Sequence, residues 1–276
     1  MKCIALDLDG TTLYDDKFLT KRTENAIRAA LDKGIQVVIA SGRCMDSLPD
    51  SVTQIPGIEY AITSNGAAIY HLPTGKCLLN YPISPKSVEQ IIALASEHSC
   101  AFEVFYEGKA YAEASYIKNP APYGISHAEY VQRTRSSVPD IFSFMRTHQK
   151  ELYGVDILTA DEALYDILYQ DISRLPDVYV TSSVKGRIET VSKKAGKHAG
   201  LAYILKRSGI LPEEAASFGN ADNDIDMLRF AGIGFAVKNA SPGCLAAADK
   251  ILPGNREDGV AVGIEELLHL NVRHQK

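Results

Sequence analysis

The chain has 276 residues, 46% of them apolar and 23% charged, and holds no low-complexity tract. That is the composition of a globular protein long enough for one large domain or two smaller ones. A net charge of −5 argues against nucleic acid or an anionic membrane surface as partner. No apolar stretch approaches the ~18 residues of a spanning helix, and Met1-Lys2-Cys3-Ile4-Ala5 runs into a polar turn with no signal-peptide apolar segment. The five cysteines (Cys3, Cys44, Cys77, Cys100, Cys244) are odd in number, scattered and free of any C-x-x-C pair. They fit buried thiols in a reducing cytoplasm better than a disulfide frame or a zinc site.

In chain order, Cys3-Ile4-Ala5-Leu6 is a short apolar run that predicts a buried strand, and Asp7-Leu8-Asp9-Gly10-Thr11 follows it at once. Ala26, Ile27, Ala30 and Leu31 form a helical stripe over Thr23 to Lys33, stopped by Gly34. Ile35 to Ala40 is β-branched and nearly continuous, as in a strand buried on both faces, and ends at Ser41-Gly42-Arg43. Tyr60-Ala61-Ile62-Thr63 predicts a third strand, ending at Ser64-Asn65-Gly66. This β-α-β rhythm implies a doubly wound parallel sheet, a Rossmann-like α/β core.

The rhythm breaks near Tyr81-Pro82-Ile83-Ser84-Pro85. Short strand candidates follow at Phe102 to Tyr106, Lys109 to Ala112, Val155 to Leu158 and Val178 to Thr181, with helical stretches between them. An inserted α+β domain over 83–184 accounts for the change, leaving a discontinuous core of 1–82 and 185–276. The core rhythm resumes with an extended Arg187 to Val191, a helix over Lys197 to Arg207, and a strand Glu214 to Phe218. That strand runs into Gly219-Asn220-Ala221-Asp222-Asn223-Asp224, ahead of a helix from Ile225 and a strand over Gly232 to Val237.

Asp7 and Asp9 stand two residues apart at the carboxyl end of a parallel strand, where open α/β sheets place their active sites. Two carboxylates held close cannot both behave as solvated acids, so one is suited to attack and the other to exchange protons. A D-x-D-G-T string arises by chance in roughly one chain of this length in 300. Ser41 offers a hydroxyl and Gly42 an open amide, both suited to a phosphoryl oxygen. Arg43 is as consistent with a substrate clamp as with a surface cation. Lys197 opens a helix, where a cation opposes the dipole, so stability does not explain it. Lys193 and Lys194 are rivals on sequence alone. The acidic loop 219–224 suits a hard cation such as magnesium, and Asp222 also reads as an N-cap for the next helix.

Together, Asp7 to Thr11, Ser41 to Arg43, Lys197 and Gly219 to Asp224 resemble the haloacid dehalogenase superfamily of aspartate-nucleophile phosphatases. The large insertion resembles its Cof-like branch, in which an α+β cap covers the site and selects substrate. The resemblance implies a magnesium-dependent phosphoric monoester hydrolase of the cytoplasm, a monomer or homodimer acting on small phosphorylated metabolites such as sugar phosphates. It makes Asp7 the nucleophile and Asp9 the acid–base, with Lys197 compensating charge. Leu8, Ser41, Gly42, Arg43, Lys197 and Asn223 would bind phosphate or substrate. Asp7, Asp9, Asn220 and Asp224 would hold Mg2+. A phosphomutase of the same fold, or a non-catalytic phospho-ligand binder, are the alternatives. The second is motivated by one departure: the family pattern Gly-Asp-x-x-Asn-Asp is here Gly219-Asn220-Ala221-Asp222-Asn223-Asp224, so an amide stands where the metal-ligating carboxylate is expected. Asp224 or Asp222 would then have to compensate.

Overall fold

The computed structural model describes residues 1–15 and 18–273. It divides into two compact units, one of Met1–Gly42, Leu48–Leu78 and Gly196–Lys276, the other of Arg43–Ser47 and Leu79–Ala195. In chain order the elements of the N-terminal part are β1 (Cys3–Leu6), α1 (Lys21–Asp32), β2 (Gln36–Ala40), α2 (Asp50–Thr53), β3 (Tyr60–Thr63), β4 (Ala68–His71) and β5 (Lys76–Asn80). There follow α3 (Pro85–Ala95), β6 (Ala101–Tyr106), β7 (Lys109–Glu113), α4 (Ala114–Lys118), α5 (Ala128–Thr134), β8 (Arg135–Val138) and α6 (Ile141–Thr147). Next come β9 (Gly154–Leu158), α7 (Glu162–Ser173), β10 (Val178–Thr181) and β11 (Arg187–Ser192). The chain then returns to the first unit with α8 (Lys197–Ser208), β12 (Ala215–Gly219), α9 (Ile225–Phe230), β13 (Ile233–Val237), α10 (Pro242–Ala247), β14 (Lys250–Leu252) and α11 (Gly259–Arg273).

The first unit is built on one sheet in the order β14-β13-β12-β1-β2-β3-β4-β5. Its strands from β14 to β3 run parallel, and β4 returns antiparallel to β3. Buried strands such as Val37-Val38-Ile39-Ala40 are apolar on both faces because helices cover both sides. Helix α1 starts where the Thr20 side chain accepts the Thr23 amide, and it buries Ala26, Ile27 and Ala30. Since β2 lies on one side of β1 and β12 on the other, the sheet reverses its winding at β1. A doubly wound sheet opens its crevice at such a reversal.

The second unit has its own sheet, ordered β10-β11-β9-β6-β7-β8 and antiparallel except for the β7–β8 pair. One face carries Phe102, Val104, Val155, Ile157 and Ile188, packed with Val88, Ile91 and Ile92 of α3, Met145 of α6 and Leu168 of α7. The alternate residues Glu103, Asp156 and Glu189 point to the opposite face, as the two-residue period of a strand requires.

Two expectations change. Strand β11 pairs with β9 and β10, so residues 185–195 belong to the second unit and the core resumes at Gly196, not at 185. Arg187-Ile188-Glu189-Thr190-Val191 looked like a core strand because strand composition does not reveal which sheet receives it. In addition, β4, β5, β8 and β14 were not anticipated. β5 (KCLLN) and β14 (KIL) are short, partly exposed edge strands with weak patterning, and β8 (RSSV) is a polar edge strand.

Candidate active site

The register of the core sheet brings the motifs to one edge. Leu6 sits opposite Phe218 on one side and Ile39 on the other, and Asp7 N–H donates to the Phe218 carbonyl at 3.1 Å. Asp7, Ser41, Asn65 and Asn220 are therefore each the first or second residue beyond neighbouring strands, or open the loop just past one. The backbone links these loops: Ser41 N–H donates to the Ile62 carbonyl and Asn65 N–H to that of Ser41. Asp7 itself is 4% exposed, and the chain turns directly after it, through Gly10, back into Leu13.

Lys197 is the centre of the arrangement. It is 1% exposed, and its Nζ donates to Asp7 Oδ1 and to Asp224 Oδ1, each at 2.7 Å. An isolated buried ammonium would shed its proton. Here the two carboxylates outweigh the desolvation and raise the lysine pKa. Its position follows from an unusual approach of two backbones. Gly196 N–H donates to the Asn65 carbonyl at 3.0 Å, and a β-carbon on Gly66 would lie 2.1 Å from the Gly196 carbonyl oxygen. Only glycine at 66 lets the start of α8 dock there, and Lys197 is the next residue. Lys193 and Lys194 lie before the return to the core, in the second unit.

Asp224 holds the loop together. Its Oδ2 accepts the backbone amides of Asn220 (2.9 Å) and Ala221 (3.1 Å), while Oδ1 takes Lys197. Both oxygens thus carry hydrogen bonds that shape the loop and anchor Lys197. The expected N-cap function of Asp222 is not seen: Asp222 accepts the Ser241 hydroxyl at 2.6 Å, and Asp224, which stands at the N-cap position of α9, makes no side-chain capping bond to it. Asn223 is buried and donates through Nδ2 to Asn65 Oδ1 at 3.0 Å, leaving its own Oδ1 buried without a hydrogen-bond partner.

Asp7 differs from an ordinary acid. Burial raises its pKa most, the Asp224 carboxylate adds to this, and Lys197 opposes both, for a net rise to about 7. A buried carboxyl with one cation beside it is a candidate reacting group. Leu8 is fully buried in the turn and contributes packing there, while Asp9 is only partly buried. Arg43 falls in the second unit, where its guanidinium donates to the Ser47 carbonyl and lies 4.9 Å above the Tyr130 ring.

Residues missed in the sequence include Thr11 and Asn65. Asn65 sits at φ +53, the left-handed region that asparagine tolerates. The Asn-Gly pair directly after a core strand was the available signal. Asn239 donates to the Gly10 carbonyl and accepts the Asn255 amide, tying the loop at Asn255 to the Asp7 turn.

A family model described as haloacid dehalogenase-like hydrolase matches residues 4–264. The chain belongs to the haloacid dehalogenase-like hydrolase family. Its similarity to Phosphatase YwpJ of Bacillus subtilis is 29% identity, covering 97% of this chain and all of that one. To the 5-amino-6-(5-phospho-D-ribitylamino)uracil phosphatase YcsE of the same organism it is 26%, covering 96% and 94%. A solved haloacid dehalogenase-like hydrolase from B. subtilis superimposes with a TM-score of 0.85 at 28% identity, over 97% of this chain and 100% of that one. Like these haloacid dehalogenase-like hydrolases, the protein is a phosphoric monoester hydrolase with a Cof-like inserted α+β unit. No helix among the described residues is long and apolar enough to cross a membrane.

Proposed function

We propose that the protein is a magnesium-dependent phosphatase that hydrolyses small phosphorylated metabolites, sugar phosphates or their relatives, through an aspartyl-phosphate on Asp7. The observation that carries this reading is the buried Lys197 ammonium shared by Asp7 and Asp224. It compensates charge where a carboxylate has to approach an anionic phosphoryl group.

In the first half-reaction an Asp7 carboxylate oxygen attacks phosphorus. The ester P–O bond breaks, and Asp9 gives its proton to the departing alkoxide. In the second, Asp9 takes a proton from water, the water oxygen attacks phosphorus, and the bond from phosphorus to Asp7 breaks. Inorganic phosphate leaves and both carboxyl groups return to their starting states. The Ser41 hydroxyl, the Gly42 amide and the Asn223 side chain are the proposed phosphoryl ligands, with Lys197 neutralising the equatorial oxygens.

The residues present fit a hard divalent cation. The Asn220 side-chain amide lies within hydrogen-bond distance of both Asp7 Oδ2 and the Asp9 backbone carbonyl, and each of the three can present oxygen. When bound, the cation screens repulsion between carboxylate and phosphate. A cytoplasmic location is part of the same proposal, supported by five cysteines that are all free thiols.

The test is release of inorganic phosphate from a panel of phosphorylated metabolites, with and without magnesium. The panel should hold sugar phosphates and 5-amino-6-(5-phospho-D-ribitylamino)uracil, the compound in the name of one relative. Release without isomerised product separates a phosphatase from a phosphomutase. No release from any member, at any magnesium concentration, would overturn the reading.

A further inference from the structure

The loop carboxylates that were to replace the missing ligand are occupied elsewhere, Asp224 by Lys197 and two backbone amides and Asp222 by Ser241. The side chain that does face Asp7 Oδ2 and the Asp9 carbonyl is Asn220. An amide has a donor end and an acceptor end, and which faces a site follows from its surroundings. With Nδ2 toward the turn, Asn220 donates to Asp7 Oδ2 at 3.1 Å, to the Asp9 carbonyl at 2.9 Å and to Thr11 Oγ1 at 2.9 Å. With Oδ1 there instead, its oxygen meets those same acceptors, and only the Thr11 hydroxyl can turn to donate to it, at 2.9 Å. The donor orientation is the one that the protein's own groups satisfy.

That orientation sets a polarised N–H pair against the two oxygens that the magnesium reading assigns to the cation. A carboxylate at position 220 could not do this, since it only accepts and would repel Asp7. The contact is close, because a β-carbon on Gly10 would fall 2.4 Å from the end of the Asn220 amide that points away from Asp7. The amide is therefore packed onto the turn.

We propose that Asn220 is a built-in stand-in for the cation: its amide NH2 holds Asp7 Oδ2 and the Asp9 carbonyl in place, and a divalent cation binds only as the amide turns over to present its oxygen. This inference rests on the magnesium-dependent reading above and deepens it. It gives the chain two properties that a carboxylate at 220 would not. The site keeps its shape without metal, because the two oxygens are satisfied from within. Magnesium also has to break hydrogen bonds to enter, so its affinity is low and occupancy follows free magnesium over a higher range.

The test compares wild type with Asn220→Asp in two ways that do not depend on turnover. First, thermal melts are taken in EDTA and in a magnesium titration. In EDTA the variant is expected to melt lower by on the order of 3 °C, having exchanged a donor for a like charge beside Asp7. Magnesium should then raise its melting temperature more than that of wild type, with a midpoint ~10-fold lower. Second, asparagine side-chain 15N–1H signals are recorded for the wild type, with that of Asn220 assigned by its loss in Asn220→Ala. This amide pair should shift on adding magnesium, since its hydrogen bonds to Asp7 and Asp9 are released. Superimposed melts of wild type and Asn220→Asp in both conditions, or an Asn220 amide signal unmoved at saturating magnesium, would overturn the proposal. Phosphate release that depends on magnesium while these results come out negative would leave the phosphatase reading standing and sink only this one.

Discussion

Among the described residues the protein buries two charge clusters, one in each unit, and the same formal imbalance is resolved in opposite ways. In the core, Asp7 and Asp224 share the single cation Lys197. In the second unit, Glu103, Asp156 and Glu189 lie directly opposite one another on β6, β9 and β11, against the two guanidiniums of Arg135 and Arg187. Each set has one carboxyl more than it has cations.

In the second unit the surplus is closed from within. Glu103 accepts Arg135 (2.7 Å) and the Tyr116 hydroxyl (2.6 Å), and the two arginines hold its pKa down to about 2 against the cost of burial. Asp156, flanked by carboxyls on both neighbouring strands, has its pKa pushed well up by burial and by Glu189. In the core the charges stand on loop and helix starts beyond the strand ends, and Asp7 Oδ2 faces the exchangeable donor group of Asn220. A cluster whose members saturate one another is structural. One that leaves a carboxylate oxygen to a replaceable partner is equipped to react.

The comparison is broken most decisively at Asp7. Asp7→Asn keeps shape and removes the carboxylate that the proposed mechanism uses as nucleophile, so turnover should fall by on the order of 10⁴-fold or more. The melting temperature should change little, since Asp224 still pairs Lys197. Assay of phosphate release alongside a thermal melt checks both halves, and substantial residual turnover would place the nucleophile elsewhere.

Glu103→Gln should show the reverse pattern. It strips the buried arginines of their main counter-charge, an operation that costs about 3–5 kcal/mol in other proteins. Denaturant unfolding monitored on the second unit should register that loss. A stability within 1 kcal/mol of wild type, on the order of an ordinary surface change, would show that the cluster is not closed as described.

A smaller effect is expected at Asn223, whose Oδ1 is buried without a hydrogen-bond partner while Nδ2 is held by Asn65. Asn223→Ala should reduce kcat/KM by on the order of 10²-fold, as removal of one preorganised polar group at a transition state does. Asn65→Ala should act in the same direction through loss of positioning. If Asn223→Ala leaves kcat/KM unchanged, the side chain supports the loop and does not meet the phosphoryl group.

These two clusters also mark how far the sequence could be read. Asp7, Lys197 and the 219–224 loop were legible because strand ends and helix starts are encoded locally, and the parallel sheet carries them to one edge. Which oxygen of Asp224 meets which donor was not legible, because it depends on a fold-back within four residues. The second cluster was missed altogether. Arg135 lies in the polar edge strand RSSV, yet it is buried beside Glu103. Cross-strand register alone brings residues 103, 135, 156 and 187 together, and nothing local in a sequence states register.

The smallest expected effect separates the clusters by pH. A carboxyl whose folded pKa is raised binds more protons folded than unfolded, so it lowers stability as pH climbs above its unfolded value of about 3.9. Asp156 is such a group. Asp156→Asn replaces a protonated acid with an amide that keeps one acceptor and a donor, so the Arg187 contact at 3.2 Å is retained while the titration is removed. Wild type and variant should have equal stability near pH 4. Above it the variant should gain steadily on wild type as pH rises, until the folded protein releases the proton. Melts recorded from pH 4 to pH 8 measure the divergence directly. Parallel curves across that range, or a variant less stable than wild type at pH 8, would mean that Asp156 is ionised in the folded protein, and that the surplus charge of the second cluster is resolved by some other group.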